Sequence, residues 1–185
     1  MKILGIIGSP RKDSNSFVLT DKVAEGAKSQ WAEVELINLS EFNIAPCKAC
    51  MSCKQQGSCA IKDDMIGLTE KMKAADAFIL ASPVYWGDVT AQMKTWIDRC
   101  YCMMDLQFNT PLKGKKAALI AVCANPEETM LDHALKTMGQ FCGFNQMKIV
   151  GQLKAPGFLM PGQVKEKEDL LKQATALGTT LAGEK

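Results

Sequence analysis

Hydrophobic residues along the chain fall into short continuous blocks separated by longer amphipathic stretches, and the two kinds of segment alternate. Residues 2–8 (Lys-Ile-Leu-Gly-Ile-Ile-Gly) form an apolar run of strand length, as expected of a strand buried on both faces. Residues 9–16 break that run with Ser-Pro-Arg-Lys-Asp-Ser-Asn-Ser. Phe17, Val18, Leu19, Val23, Ala24 and Ala27 then recur at helical spacing to about residue 29. Alternation over 33–38 predicts a second strand, and 39–62 has no period at all. Asp63 or Asp64 is placed to cap a helix carrying Met65, Leu68, Met72 and Ala75. Residues 77–82 predict a third strand, followed by a helix over about 90–102 with Met93, Trp96, Ile97 and Cys100 on one face. A fourth strand is expected at 116–123, a helix opened by Pro126 and running to about 142, and a fifth strand at 146–152. A loop at 157–162 and a final helix over about 164–181 complete the chain.

Strands that alternate with helices of ten or more residues call for a parallel sheet with helices on both faces. Five such units predict a three-layer α/β sandwich, and 185 residues suffice for one domain with a single sizeable core. The aperiodic segment at about 39–62 is then a long loop inside that domain, and loops of such length usually carry function. In an open sheet of strand order 2-1-3-4-5, ligands bind beyond the carboxyl ends of the strands, at the switch point between strands one and three.

Two loops at that switch point carry chemistry. The first lacks both G-x-G-x-x-G and G-x4-G-K-[ST], so it is neither a dinucleotide fingerprint nor a Walker A loop. It does gather Ser9, Arg11, Ser14, Asn15 and Ser16 at the start of the first helix, where free N–H groups and the helix dipole favour an anion. The competing reading is a serine that merely caps the helix, with Arg11 solvated. The second loop, Pro83-Val84-Tyr85-Trp86-Gly87, sets two aromatics beside a flexible glycine at the end of strand three. A flat aromatic ligand could lie there, or the aromatics could shield the sheet end or meet another subunit. Together the loops fit FMN, with its phosphate at strand one and its ring at strands three and four near Ala124 and Asn125.

Composition narrows the class. A net charge of +2, with 20 Lys and 2 Arg spread along the chain, gives no case for nucleic acid. No apolar run is long enough to span a membrane, and Met1 leads straight into a strand pattern rather than an export signal. A reducing cytoplasm is the expected setting. Against that setting four of the eight cysteines fall at C-x2-C-x2-C-x5-C: Cys47, Cys50, Cys53 and Cys59. Packing does not explain thiols recurring in a polar segment. Three thiolates at x2 spacing and a fourth nearby suit a cubane iron–sulfur cluster. Zinc more often takes two separated C-x2-C pairs, and free or redox-active thiols are the further alternative, with a disulfide framework disfavoured. Cys100, Cys102, Cys123 and Cys142 read as core, Asp63-Asp64 as a helix cap and His133 as a surface residue. One histidine allows no Ser-His-Asp or Cys-His hydrolytic arrangement. No residue is assigned a catalytic role.

Gly8-Ser9-Pro10-Arg11 with Ser14-Asn15-Ser16, the Cys47 to Cys59 run with Asp63-Asp64-Met65, and Ser82-Pro83-Val84-Tyr85-Trp86-Gly87 resemble the NADPH-dependent FMN reductase-like flavoproteins. Within them the chain most resembles the iron–sulfur flavoproteins of anaerobes, over residues 1 to about 122 by motif and beyond that by fold. The resemblance implies a flavodoxin-like fold of order 2-1-3-4-5, non-covalent FMN and a homodimer or homotetramer with the cysteine loop near a flavin. By position it implies that Ser9, Arg11, Ser14, Asn15 and Ser16 hold the phosphate. It also implies that Pro83, Val84, Tyr85, Trp86 and Gly87 line the ring, and that Cys47, Cys50, Cys53 and Cys59 bind a [4Fe-4S] cluster. The activity expected is electron transfer between cluster, FMN and a small acceptor or carrier, with NAD(P)H or a ferredoxin-like donor. A cluster-free NAD(P)H-dependent FMN or quinone reductase, and a flavodoxin-like module sensing oxidant or metal, are the competing functions.

Overall fold

The continuous apolar runs are strands because both faces of the sheet they form are covered. In the computed structural model, which describes residues 1–183, these are β1 (Lys2–Ile7), β2 (Glu33–Asn38), β3 (Ala77–Pro83), β4 (Lys116–Val122) and β5 (Lys148–Ala155). All pair in parallel in the order β2-β1-β3-β4-β5, the expected topology. The helices are α1 (Asn15–Lys28), α2 (Ser52–Gln56), α3 (Met65–Ala74), α4 (Ala91–Arg99), α5 (Asp132–Phe144) and α6 (Glu168–Ala182).

One core packs Val18, Leu19 and Val23 of α1 and Ala174 and Leu181 of α6 against Ile3, Ile79 and Ile120 of the sheet. The opposite core packs Met65, Leu68 and Met72 of α3, Met93 and Trp96 of α4, and Leu135, Met138 and Phe141 of α5 against Leu4, Phe78 and Leu119. Alternate residues of each central strand therefore serve opposite layers. α1 and α6 touch through glycine: a Cβ at Gly26 would lie 1.9 Å from the Thr175 carbonyl oxygen, and one at Gly178 would lie 1.9 Å from the Val23 carbonyl oxygen.

Several boundaries differ from expectation; the helix expected to about residue 102 ends at Arg99 and gives way to a 3-10 turn over Cys100–Met103. β5 runs to Ala155 because it is an edge strand, half exposed, so its polar Gln152 and Lys154 continue the strand instead of ending it. Pro126 does not open a helix: Asn125 Oδ1 accepts from Glu127 N (2.8 Å), a 3-10 turn covers Glu128–Leu131, and α5 starts at Asp132. The last helix is likewise preceded by a 3-10 turn at Gln163–Glu166. The aperiodic segment holds a 3-10 turn (Leu39–Glu41) and the single short helix α2, and is otherwise irregular.

Candidate functional site

At the carboxyl end of β1, the backbone and hydroxyls build a concave anchor. Gly8 must stay a glycine, since a Cβ there would lie 2.9 Å from both Met93 Cβ and Thr90 Oγ1. Thr90 closes the floor: its Oγ1 donates to Gly8 O (2.6 Å), its N donates to Ser82 Oγ (3.1 Å), and it caps α4 by accepting from Met93 N (3.2 Å). Ser14 caps α1, accepting from Phe17 N at 3.0 Å. Ser9 is buried and its Oγ accepts from Arg11 N (3.2 Å), while Arg11 Nη1 donates to Leu159 O (3.1 Å). Asn15 grips the loop before α6, donating to Met160 O (2.9 Å) and accepting from Val164 N (3.1 Å). Ser16 differs from its neighbours: its hydroxyl is buried and has no hydrogen-bond partner.

These five side chains wall one cleft together with Pro83, Val84, Tyr85 and Ala124. Val122, Cys123, Phe158, Leu159 and Pro161 complete it, none of which was proposed from the sequence as a site residue. The signal for the last group was the apolar Phe158-Leu159-Met160 in a loop, where Leu159 and Met160 are both more than 60% exposed. Trp86, Gly87 and Asn125 stand outside the cleft wall. Tyr85 and Asp88 exchange backbone hydrogen bonds (2.9 and 3.2 Å), so Trp86 and Gly87 occupy a tight turn with φ of 51° and 83°. A positive φ is unusual for a bulky residue, and here it leaves the Trp86 side chain wholly in solvent. His133 is exposed, with Nε2 3.5 Å from Asp88 Oδ2. Beyond Ser16, the first helical turn of α1 presents backbone N–H groups that no carbonyl within the helix can take. A buried hydroxyl, helix N–H groups and Arg11 beside a cleft with apolar walls are donors that could hold a phosphate monoester carrying a flat ring.

The cysteine segment is built on the α3–α4 face. Cys47, Cys50, Cys53 and Cys59 wall one depression with Lys48, Arg99, Tyr101 and Cys102. Among the described residues no three His, Cys, Asp or Glu side chains gather for a single metal ion. A cubane, by contrast, spreads four thiolates over four irons, which suits cysteines distributed around a depression. Ala49 and Met51 adopt φ of 51° and 59°, the left-handed kinks that turn the backbone between consecutive cysteines. Lys54 of α2 donates to Tyr101 O (2.6 Å) and to Met104 O, with its ammonium 3.5 Å from the Tyr101 ring centroid. The Cys50 thiol is held below its ordinary value, chiefly by hydrogen bonding from Ser52.

Asp64 is the N-cap residue of α3, but its side chain makes no cap hydrogen bond and accepts instead from Asn43 N (2.7 Å); Asp63 is more than a cap. Its carboxylate accepts from Met65 N (3.2 Å) and Ala45 N (2.9 Å), but its main partner is Arg99, at 2.6 and 2.8 Å through both guanidinium ends. That pairing holds the carboxyl below the usual carboxylate range. Cys100, Cys123 and Cys142 are buried as expected, although Cys123 also lines the cleft. Cys102 does not belong with the core thiols: it is half-buried, and burial followed by the charges of Cys59 and Cys53 pushes it up to about 11.

The sequence pattern of the family described as NADPH-dependent FMN reductase matches residues 1–154. The chain belongs to this family. Within it, an iron-sulfur flavoprotein of Archaeoglobus fulgidus is 38% identical over 98% of this chain and 79% of its own length, which places the chain among the iron–sulfur flavoproteins. An iron-sulfur flavoprotein of Methanosarcina thermophila is 43% identical over 66% of this chain and 63% of its own length. One of Methanocaldococcus jannaschii is 38% identical over 68% and 63%. The chain thus spans less than two thirds of those latter two relatives. Among solved structures, an NAD(P)H:quinone oxidoreductase from Methanothermobacter marburgensis superposes with a TM-score of 0.76 at 21% identity, over 100% of this chain and 98% of that one. An archaeal flavodoxin superposes with a TM-score of 0.63 at 14% identity, over 98% and 96%. These two likenesses establish the flavodoxin-like fold.

Proposed function

We propose that the protein is an FMN-dependent oxidoreductase of the iron–sulfur flavoprotein type, moving electrons between a [4Fe-4S] cluster, FMN and a small acceptor or carrier. The observation that carries this reading is the depression walled by all four cysteines of the run, in a chain that belongs to an FMN reductase family. When bound, the cluster supplies single-electron chemistry and FMN converts between one- and two-electron steps, with NAD(P)H or a ferredoxin-like carrier as donor.

The side chains have definite work. Ser9, Arg11, Ser14 and Ser16 would hold the phosphate, Ser16 through the hydroxyl that has no other partner. Asn15 shapes that anchor by holding the loop of Met160 and Val164 over it. Pro83, Val84, Tyr85 and Ala124 would flank the ring, with Trp86, Gly87 and Asn125 at its outer edge. Cys47, Cys50, Cys53 and Cys59 would ligate the cluster. Trp86, Leu159 and Met160 stand exposed around the mouth of the cleft, which supports a homodimer or homotetramer that covers them.

The test is an absorption spectrum of protein purified without oxygen, with iron and acid-labile sulfide assayed on the same sample. Flavin bands with about four irons per chain are expected. Flavin without iron would convert the reading to a cluster-free NAD(P)H-dependent reductase, and protein without flavin would overturn it. Cys50→Ser should remove iron and leave FMN bound; loss of both would make the cysteines structural.

A further inference from the structure

Arg99 is buried at 1% exposure and is one of the residues that line the cysteine depression. Nη1 donates to Ala45 O (2.6 Å) and Asp63 Oδ2 (2.6 Å), and Nη2 donates to Asp63 Oδ1 (2.8 Å) and reaches Cys59 Sγ at 3.5 Å. Its Nε–H is buried and has no partner. Ala45 lies just before Cys47 and Asp63 just after Cys59, so one guanidinium ties both ends of the cysteine loop to the end of α4.

A buried ion pair seldom repays its own desolvation. An apolar residue of similar volume would serve as well for stability, which leaves the charge itself to be explained. Four thiolates on a cubane make an anionic group, and reduction makes it more so. A cation and an N–H donor beside one sulfur favour the reduced, more negative state. Asp63 takes both ends of the fork, which fixes its orientation.

We propose that Arg99 is the positioning residue of the cluster and sets its reduction potential. It holds the loop closed through Asp63 and Ala45 and donates to the Cys59 sulfur, keeping the cluster easier to reduce than its four thiolates alone would make it. This rests on the cluster assignment above. In the couple concerned the cluster gains one electron and neither gains nor loses a ligand.

The test is a titration of anaerobically purified protein with dithionite as electron donor, following the cluster by electron paramagnetic resonance and the flavin by absorbance. Arg99→Gln with Asp63→Asn removes both charges together and leaves neither stranded; Arg99→Lys keeps the charge and loses the fork. The cluster of the double variant should be about tenfold harder to reduce, which is 59 mV for a one-electron couple. The Lys variant should fall between it and the unaltered protein, with the flavin potential unchanged in all three. Equal cluster potentials at full iron content would overturn the proposal and leave the cluster assignment standing. Loss of iron from both variants would reduce the pair to a structural clasp and overturn its setting of the potential. Iron absent from the unaltered protein would overturn both readings.

Discussion

A hydroxyl buried without a partner costs a folded protein about 1–3 kcal/mol, and Ser16 carries one at the mouth of the first helix. Folding alone gains nothing from it, so Ser16→Ala should leave the thermal unfolding of flavin-free protein unchanged or raise it. The same change should weaken FMN binding roughly tenfold or more, the worth of one hydrogen bond to a charged group, read by quenching of FMN fluorescence. Equal affinity would remove Ser16 from the anchor. At this scale the serines and cysteines were legible in the sequence because their spacing itself is chemical. Arg99 was not: it lies 40 residues from Cys59 along the chain, and only folding brings its fork to the loop. Cys102 was misread for a related reason, since its apolar neighbours Tyr101 and Met103 mimic core while the thiol faces the cysteine depression.

Between elements, α1 and α6 approach closely, each helix setting a glycine against the other's backbone. Gly26→Ala and Gly178→Ala would each gain about 1 kcal/mol of helix propensity. Against that, each added Cβ would meet a carbonyl at 1.9 Å, and overpacking of this kind costs about 1–3 kcal/mol or more. Thermal denaturation of each variant should therefore fall by several degrees, at about 2–4 °C per kcal/mol for a chain of this size. The double variant should fall by less than the sum, because helices already forced apart need not move twice. Undiminished stability would show that the helices slide apart freely. The strands of the sheet were readable from apolar runs because the central ones are buried on both faces. The edge strand β5 was displaced because its exposed face carries the polar residues of a loop.

For the whole molecule, acid stability follows from which carboxylates the fold has perturbed. Asp63 and Asp105 are both held below the ordinary value, but Asp105 is an exposed group bonded within its own loop, chiefly to Asn109. Asp63 is the buried one, paired with Arg99. Its folded value is depressed, so its contribution is fully present above the unfolded value of about 3.9 and is lost as pH falls through the folded value. Denaturant unfolding followed from pH 7 downward should show stability declining as pH drops below about 4. Asp63→Asn with Arg99→Gln should flatten that decline, and an unchanged slope would assign acid sensitivity to other groups. The three-layer architecture and the place of the cleft were legible because topology fixes the switch point. The cleft's far wall was not, since it is supplied by the loop at 157–162.

That far wall has a consequence for how the protein matures in the cell. Asn15 is made 145 residues before Met160 and 149 before Val164, its two partners. The strand that leads into them, β5, and the helix that seals them down, α6, come equally late. A growing chain can complete β1 and α1 while the cleft beside them still lacks a side. The cysteine segment, by contrast, has every partner it uses by residue 104. The cysteine loop can therefore reach its final shape on the growing chain well before the cleft does.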